Sequence, residues 1–296
     1  MTYEQKNMLE ENLENLRKKY TLMLKVTLLP FPLFIIVCIV AMIPGYEINF
    51  PGKSMAIIIL FLLTCVMILI GIKHLKKDGD SFINAYKSAV VSNVLQEEFQ
   101  DFSYQPDQCL PMEDIQLLCS YKNFCYKGED LISGIYKNVP YRQSDVDAFY
   151  YKSDGDGGKK KVTLMKGRLA EFIYPKSQGI SVYVFDKMAA GADKQGLLEV
   201  QLENVEFARK YRVFASDQHA AFYLLTPQMM EYIMKLGQKN ILYIRFHNGR
   251  VYVMRHGVPG MFEPSYFKKV DVDFEISRTK SDMCELLGIV DILKLS

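Results

Sequence analysis

The sequence predicts an α+β fold in which an N-terminal two-helix transmembrane hairpin is followed by a mainly antiparallel β domain. Three observations predict it. Two apolar runs lie within the first 72 residues, at about 27–43 and 55–72. From about residue 118 onward, short segments rich in Val, Tyr and Phe alternate with turn signals, as strands do. One internal and one C-terminal segment carry helix patterns instead.

The two apolar runs are each long enough to cross a membrane as a helix, which takes about 20 residues. The second run contains no charged residue. Pro30 and Pro32 interrupt the first run and predict a kink near its start. The first run is longer than the apolar core of a signal peptide and has no clear cleavage site after it. We therefore interpret it as an anchor.

Basic residues flank the outer ends of the two runs, whereas the connecting loop, 44–54, carries a single lysine, Lys53. The basic flanks are Arg17, Lys18, Lys19 and Lys25 before the first run and Lys73, Lys76 and Lys77 after the second. Because basic flanks stay on the cytoplasmic side of a membrane, the sequence predicts an inner (plasma) membrane protein with both termini and the main domain in the cytoplasm.

The chain divides into four predicted parts, which are a cytosolic amphipathic helix at 1–26, the transmembrane hairpin at 27–72, a juxtamembrane helix at 73–105 and a cytosolic α+β domain at 106–296. Apolar residues of the first helix recur with heptad spacing, and a second helical stripe follows the second span. The heptad positions are Leu9, Leu13, Leu16, Tyr20 and Met23. Such a seam joins the two helices of one chain as an antiparallel pair, or joins two subunits in parallel. The spacing does not separate these alternatives.

Seven or eight strands are predicted in the α+β domain. Residues 126–151 are predicted to form a strand, a turn and a second strand. Later strands are predicted at 162–174, 180–185, 211–215, 221–225, 241–246 and 251–255. Asn248-Gly249 between the last two is a strong hairpin signal. Thr226-Pro227 predicts the start of an internal helix that ends near Leu236, and a final helix is predicted at about 280–293. This order is compatible with a curved sheet or a small barrel closed by a C-terminal helix, as in pleckstrin-homology-like domains.

Charge and cysteine content exclude several classes of function. Residues 81–296 carry 27 basic and 27 acidic residues, and this neutral balance argues against nucleic-acid binding. Cys119 and Cys125 lie six positions apart, which is not the spacing of a zinc or thioredoxin-like site. The six cysteines are expected to be reduced thiols in the cytosol. The sequence predicts no metal ion and no cofactor.

The lysines at 159–161 follow a glycine-rich stretch, 155–158, that could suggest phosphate binding. A P-loop needs Ser or Thr after Gly-Lys and a helix after that, whereas a strand follows here. We therefore interpret the stretch as an exposed hairpin tip. Basic side chains near a membrane attract anionic lipids. The residues predicted to contact lipid headgroups are Lys73, Lys76, Lys77, Lys159, Lys160 and Lys161.

Two further sets of polar residues are candidates for recognition. On a strand, Asp217 and His219 would share a face, although no nucleophile motif accompanies them. Lys166-Gly167-Arg168, where Gly167 marks a predicted bulge, and Phe262-Glu263 look like strand-edge and turn features. The predicted partner or ligand surface is therefore Lys166, Arg168, Asp217, His219, Phe262 and Glu263.

His247 and His256 lie near the ends of the predicted Asn-Gly hairpin, where they could approach each other across the strands. Two histidines without a carboxylate or cysteine nearby make only a weak case for a metal site.

Several stretches in the right order resemble the bacterial domain-of-unknown-function family 3137. They are KGEDLISGIYKNVPYRQSDV (127–146), KGRLAEFIYPK (166–176), LENVEFARKYRVFASD (202–217), DQHAAFYLLTP (217–227) and Phe262-Glu263-Pro264. The resemblance covers most of the α+β domain, and the two-span hairpin before it is similar to the usual layout of the family. It implies this architecture, but it brings no established activity and no catalytic residues.

These observations predict a membrane-anchored cytosolic binding or adaptor module that recognises a protein partner or a ligand at the inner membrane face. An oligomeric membrane scaffold formed by self-association is the alternative, and an enzyme with an unrecognised site is a third. The sequence identifies no catalytic residue.

Overall fold

The structure, a computed structural model, describes residues 3–32, 35, 39, 53–155, 157–192, 194, 196–258, 260 and 262–293. The chain forms two compact units. Unit 1 comprises Met1–Asn93 and Glu263–Ile276, and unit 2 comprises Val94–Phe262 and Ser277–Ser296. Unit 1 contains helix α1 (Tyr3–Leu28) and most of helix α2 (Lys53–Glu98).

Helices α1 and α2 run antiparallel in unit 1, because residues nearer the end of α1 contact residues nearer the start of α2. Near the end of α1, Thr27 packs so closely on Gly71 that a Cβ there would lie 2.5 Å from the threonine hydroxyl oxygen. Two turns earlier, the Tyr20 ring lies against Gly79. Of the two arrangements that the heptad spacing allows, the structure has the antiparallel pair within one chain.

The heptad positions of α1 supply the core of unit 1. Leu13 is completely buried, and Leu9 and Leu16 pack against the same cluster. The other members of the cluster are Phe82, Tyr86 and Val90 from α2, and Val270 and Val272 from the later segment. Because each buried apolar side chain contributes about 1.5–3 kcal/mol, these positions stabilise the fold of the chain itself.

The segment 263–276 is attached to both helices of unit 1. The Tyr266 ring stacks on Tyr20 with centroids 4.3 Å apart and lies 5.6 Å from the Phe82 ring. The Glu10 carboxylate accepts a hydrogen bond from the Val272 amide at 3.1 Å, where helix α7 (Val272–Ile292) begins. A carboxylate at this position satisfies an open amide and complements the helix dipole.

The apolar part of α2 is exposed over most of its surface, and Thr64, Ile68 and Gly71 form a half-buried stripe on one side. Most of its large side chains between Ile58 and Ile72, among them Leu62, Val66 and Leu69, are more than half exposed. The most apolar stretch of α2 has a mean hydropathy of 2.5 and no buried part. Its 18 predicted residues, 55–72, would extend about 27 Å as a helix. By length and composition, α2 could cross a membrane.

Much of the predicted first span, 27–43, lies outside the described residues, as does most of the predicted connecting loop, 44–54. Leu28, Leu29, Phe31, Ile35 and Ile39, which are described, are exposed. Among the described residues, one helix meets the length and hydropathy expected of a membrane span. The two-span hairpin therefore stays a prediction.

A nine-stranded sheet forms unit 2. Its strands are β1 (Gln100–Gln105), β2 (Cys125–Tyr136), β3 (Val139–Ser153), β4 (Lys159–Ile173), β5 (Ser181–Asp186), β6 (Leu198–Glu199), β7 (Tyr211–Ala215), β8 (Ile241–His247) and β9 (Arg250–His256). They lie in the order β1-β2-β3-β4-β9-β8-β5-β7-β6, and every pairing is antiparallel. The predicted α+β class with an antiparallel sheet is confirmed. The sheet is open, with β1 and β6 at its edges, so the small-barrel alternative is wrong.

Helices cover both faces of this sheet. They are α3 (Met112–Gln116), α4 (Val205–Lys210), α5 (Gln218–Leu224), α6 (Pro227–Leu236) and the later turns of α7. Successive residues of a strand point to opposite faces. Met254 of β9 shares a core cluster with Ile115 of α3, whereas Arg255 faces the other side and pairs with Glu285 of α7. Helices α3 and α7 therefore lie on opposite faces.

Local signals predicted several of these elements correctly. Helix α6 begins at Pro227, and the Thr226 side chain accepts a hydrogen bond from the Met229 amide as its cap. The β8–β9 hairpin turns at Asn248 and Gly249, whose φ angles of +46° and +76° suit a two-residue turn.

Other elements differ from the prediction. Residues 221–225, predicted as a strand, lie mostly in helix α5. The predicted juxtamembrane helix at 73–105 ends at Glu98, and Gln100–Gln105 form strand β1. The last helix begins at Val272 rather than near 280, because Asp271 accepts a hydrogen bond from the Phe274 amide and Glu10 one from Val272.

His247 and His256 lie at opposite ends of the β8–β9 hairpin, so the predicted approach between them is wrong. His247 pairs with Arg250 beside the turn, and His256 pairs with Ile241 six residues away along the ladder. Burial lowers the pKa of both rings, and for His247 the nearby Arg245 lowers it further. The His256 Nδ1 accepts a hydrogen bond from the Lys166 amide at 2.8 Å, which requires that nitrogen to be unprotonated.

Gly167 of β4 lies close against the backbone of β9. A Cβ at this position, where φ is +152°, would lie 2.1 Å from the Arg255 carbonyl oxygen. The pairing of β3 with β4 is irregular between Ala148 and Phe149, whereas Gly167 pairs regularly with Val146. The bulge in this strand pair is therefore not at Gly167, where it was predicted. Gly167 instead permits the close pairing of β4 with β9.

We expect Gly167→Ala to lower the free energy of unfolding of the full chain by about 3 kcal/mol or more, because the Arg255 carbonyl is backbone and has to move. Gly179→Ala is the matched control, since Gly179 also has a positive φ, +72°, but has nothing within 4 Å of its Cβ position. The control should lose only about 1 kcal/mol. Urea denaturation followed by circular dichroism measures both, and equal losses would contradict this role of Gly167.

We expect stability to fall as the pH is lowered from about 7 to about 5. The folded-state pKa values of His247 and His256 lie below their usual value of 6.5, so the unfolded chain binds protons first. The double variant His247→Asn with His256→Asn should have a flatter pH dependence of its midpoint in urea, because asparagine does not titrate. A variant with the same slope as the wild type would show that other groups cause the loss.

Candidate functional site

A cleft of about 340 Å³ opens between helices α6 and α7 in unit 2. We call it the α6–α7 cleft. Its titratable lining residues are Tyr232, Lys235, Lys239, Arg255, Cys284 and Glu285. The volume lies in the range of small-molecule sites, about 300–1,000 Å³.

The local sequence explains how α6 forms one wall. Met229, Ile233 and Leu236 are buried at helical spacing, which leaves Tyr232 and Lys235 at the cleft. The helix ends at Gly237, where a Cβ would lie 1.9 Å from the Tyr211 hydroxyl oxygen. A side chain at that position would push α6 away from β7.

Helix α7 approaches α6 closely enough to form the opposite wall. A Cβ on Gly288 would lie 3.1 Å from the Tyr232 ring. The Tyr232 hydroxyl donates hydrogen bonds to the Glu285 and Leu286 carbonyl oxygens, at 2.5 and 3.3 Å. These contacts join the two walls directly, so the cleft has a defined width.

Arg255 brings a buried cation to the cleft from β9. Its residue is 7% exposed, and its Nη2 lies 2.7 Å from a carboxylate oxygen of Glu285, whose side chain is 53% exposed. Arg255 Nε is buried without a hydrogen-bond partner in the described part of the chain. Water screens a half-exposed carboxylate, so Glu285 neutralises this guanidinium incompletely.

Arg168, a predicted surface residue, lies directly across from Arg255 in the β4–β9 ladder. It is 2% exposed and pairs with Asp145 at 3.3 Å, so it is not part of an exposed surface. Like charges at opposed positions of a sheet repel each other. The Asp145 carboxylate, which pairs with Arg168, compensates this repulsion, and Arg168 does not line the cleft.

The cleft is suited to binding rather than to nucleophilic chemistry. Burial, and next the charge of Glu98, raise the pKa of the Cys284 thiol, so it stays protonated near neutral pH and is a poor nucleophile. Burial also raises the pKa of the Tyr232 phenol, which therefore acts as a neutral donor. Three basic side chains and one carboxylate give the lining a net charge of +2.

A second group of charges is balanced within itself. Glu171, 2% exposed, forms ion pairs with both Arg142 and Arg250, and Asp114 lies 3.1 Å from Arg142. Burial, and next the Glu171 charge, raise the pKa of the Asp114 carboxyl. Two carboxylates thus face two guanidinium groups, which is the arrangement of a structural network.

Asp217 and His219 do not lie on a strand, as predicted. The Asp217 carboxylate accepts a hydrogen bond from the His219 backbone amide at 2.7 Å and caps helix α5. The helix is favoured because Ala220, Ala221 and Leu224 are buried at helical spacing. Both polar side chains are exposed, and the carboxylate is bonded to the backbone rather than to the imidazole.

The predicted surface is divided further by Phe262, which is fully buried and lies edge-on to Tyr104. Glu263 and Lys166 are exposed. The six residues proposed from the sequence therefore do not form one surface. The cleft residues were missed because they are distributed over α6, β9 and α7, and no motif joins them.

The lysines predicted to contact lipid are exposed. Lys73, Lys76 and Lys77 follow the apolar stretch of α2, and Lys159 and Lys160 lie at the tip of the β3–β4 hairpin. Lys161 forms an ion pair with Asp147 at 2.9 Å and lies over the Phe149 ring. Contact of these lysines with lipid stays a prediction.

One solved structure is similar to this chain, the crystal structure of the mycobacterial trehalose monomycolate transport factor A, TtfA. The similarity covers 68% of this chain and 92% of that chain, at 10% sequence identity and a TM-score of 0.34. A search of the curated proteins finds no match.

A family model described as protein of unknown function, DUF3137, matches residues 164–295. The match extends from β4 through α7 and contains every residue that lines the α6–α7 cleft. The stretch 127–146, which also suggested this family, precedes the matched residues. Over residues 164–295, which are somewhat less than half of the chain, the sequence is therefore similar to the DUF3137 family of proteins of unknown function.

Proposed function

We propose that this chain is a membrane-anchored binding module, in which unit 2 binds a ligand or a protein partner at the cytoplasmic face of the membrane. The observation that carries the proposal is the exposed apolar stretch of α2. Exposed apolar area of this length is unfavourable in water and favourable in lipid, where a helix satisfies its own backbone hydrogen bonds.

The packing of unit 1 supports a two-span anchor. Because α1 and α2 are antiparallel, the Thr27–Gly71 contact lies where the first apolar run begins and the second ends. Both runs then leave this helix pair at the same end. A hairpin of two spans is the arrangement that places both runs in one bilayer.

The distribution of lysines supports a cytoplasmic location for both termini and for unit 2. Lys73, Lys76 and Lys77 follow the apolar stretch and are exposed, in positions suited to anionic headgroups. Lys159 and Lys160 provide a further exposed basic site on unit 2.

The α6–α7 cleft supports binding as the activity of unit 2. It combines a buried arginine and two lysines with a thiol that is neutral near pH 7. Such a lining holds an anionic group without supplying an activated nucleophile.

We expect the full chain to remain in the membrane fraction after washing with high salt and with alkaline carbonate. Leu62→Asp combined with Val66→Asp should release it, because each carboxylate costs about 3 kcal/mol near the bilayer centre. Met188→Asp combined with Leu198→Asp is the matched control, since both residues are exposed but lie in unit 2. Release of the wild-type chain by either wash would refute the anchor.

We expect reporter fusions to place Ser296 in the cytoplasm and a site near Asn49 outside it. A phosphatase fusion is active only outside the cytoplasm, and a fluorescent-protein fusion of the usual type only within it. Both reporters are compared at both positions in the full chain. The reverse pattern would contradict the proposed orientation, and cytoplasmic signals at both positions would contradict the two-span hairpin.

A further inference from the structure

We infer that the α6–α7 cleft binds a phosphomonoester group, on a soluble molecule or on a lipid headgroup, with Arg255, Lys235 and Lys239 as the anion-binding residues. The inference rests on the proposed binding function of unit 2 and assigns that function a site and a ligand class.

Charge is the first argument. The three cations and Glu285 leave a net charge of +2 in a concave site. A phosphomonoester carries about −1.5 to −2 near pH 7, so it balances this charge where a carboxylate or sulfate monoanion would not. Concave low-dielectric walls also concentrate the field of the lysines on the ligand.

Arg255 is the second argument. Its Nε is buried without a partner, and its Nη2 is held by a carboxylate that is itself half in water. An incoming phosphate oxygen can replace Glu285 at Nη2, because the Glu285 side chain can turn into solvent. Guanidinium groups bind phosphate through paired donors, which lysine alone does not provide.

The shape of the cleft supplies the third argument. Its volume of about 340 Å³ exceeds what a bare phosphate needs and leaves room for a small organic group. The Tyr232 ring and the Leu236 side chain offer apolar surface to that group. Glu285 competes with the ligand for Arg255, so a bound phosphate has to displace the Glu285 carboxylate from the guanidinium group.

The test is calorimetric titration of the full-length chain in neutral detergent with phenyl phosphate, compared with phenyl sulfate, which has a similar shape and a single charge. We expect phenyl phosphate to bind about tenfold or more tightly than phenyl sulfate. Absence of phenyl phosphate binding, or equal binding of the two probes, overturns the inference.

Variants with opposite expected effects make the test specific. Lys235→Met combined with Lys239→Met should weaken phenyl phosphate binding about tenfold or more, whereas Glu285→Gln should strengthen it about threefold or more, because Arg255 loses its competing charge. Lys122→Met combined with Lys127→Met removes two exposed lysines outside the cleft and should leave affinity unchanged. Circular dichroism confirms that each variant is folded. Unchanged affinity in the cleft variants overturns the inference.

Nanodiscs distinguish the two sources of the ligand. If the natural ligand is a lipid, nanodiscs that contain phosphatidic acid, a phosphomonoester lipid, should compete with phenyl phosphate, whereas those that contain phosphatidylglycerol should not. Phenyl phosphate binding unaffected by phosphatidic acid identifies a soluble ligand. A membrane-inserted chain that binds no phenyl phosphate overturns this inference alone, and a chain released from membranes by washing overturns the anchor alone.

Discussion

The pairing of β4 with β9 is the constraint on which the rest of unit 2 depends. It joins the consecutive strands β1 to β4 to the strands β9, β8, β5, β7 and β6, which come from the second half of the chain. The two strands approach so closely at Gly167 that there is no space for a side chain. This register sets Arg168 opposite Arg255 and thereby places two buried cations side by side.

The cleft follows from that register and from two helices. Alternation along β9 sends Met254 into the core under α3 and Arg255 to the face where α7 lies. Tyr232 and Gly288 determine how closely α6 and α7 approach. The resulting site has a buried guanidinium whose counter-ion is half in water, which distinguishes it from the balanced network around Glu171. An imbalance of charge at a concave position is the physical basis of the proposed anion recognition.

Unit 1 depends on a different interaction, the burial of the α1 seam against α2. Leu13 lies among Phe82, Tyr86 and Val90, so the heptad pattern that would also suit a subunit interface is used within the chain. The Glu10 carboxylate at the start of α7 attaches the segment 263–276 by satisfying an amide that the helix itself cannot satisfy. The apolar stretch of α2, by contrast, keeps most of its large side chains exposed, and by length and composition it could cross a membrane.

Features that depend on neighbouring residues were predictable from the amino-acid sequence. The Asn248-Gly249 turn, the Thr226-Pro227 helix start and the apolar composition of residues 55–72 each depend on a few adjacent side chains, so their patterns predict them directly. The resemblance to the DUF3137 family likewise rested on contiguous stretches, and it is confirmed for residues 164–295.

Features that depend on residues far apart in the chain are set by the packing of the folded protein. Residues 218–224 suit a strand or a helix by composition, and the Asp217 cap together with burial of Ala220, Ala221 and Leu224 selects the helix. Phe262 and Arg168 look like surface residues in sequence, but both are buried by partners far along the chain. The cleft brings Arg255 to Glu285 and Tyr232 to Gly288, pairs separated by 30 and 56 positions. A local pattern does not record such contacts, because they form only when strands and helices pack.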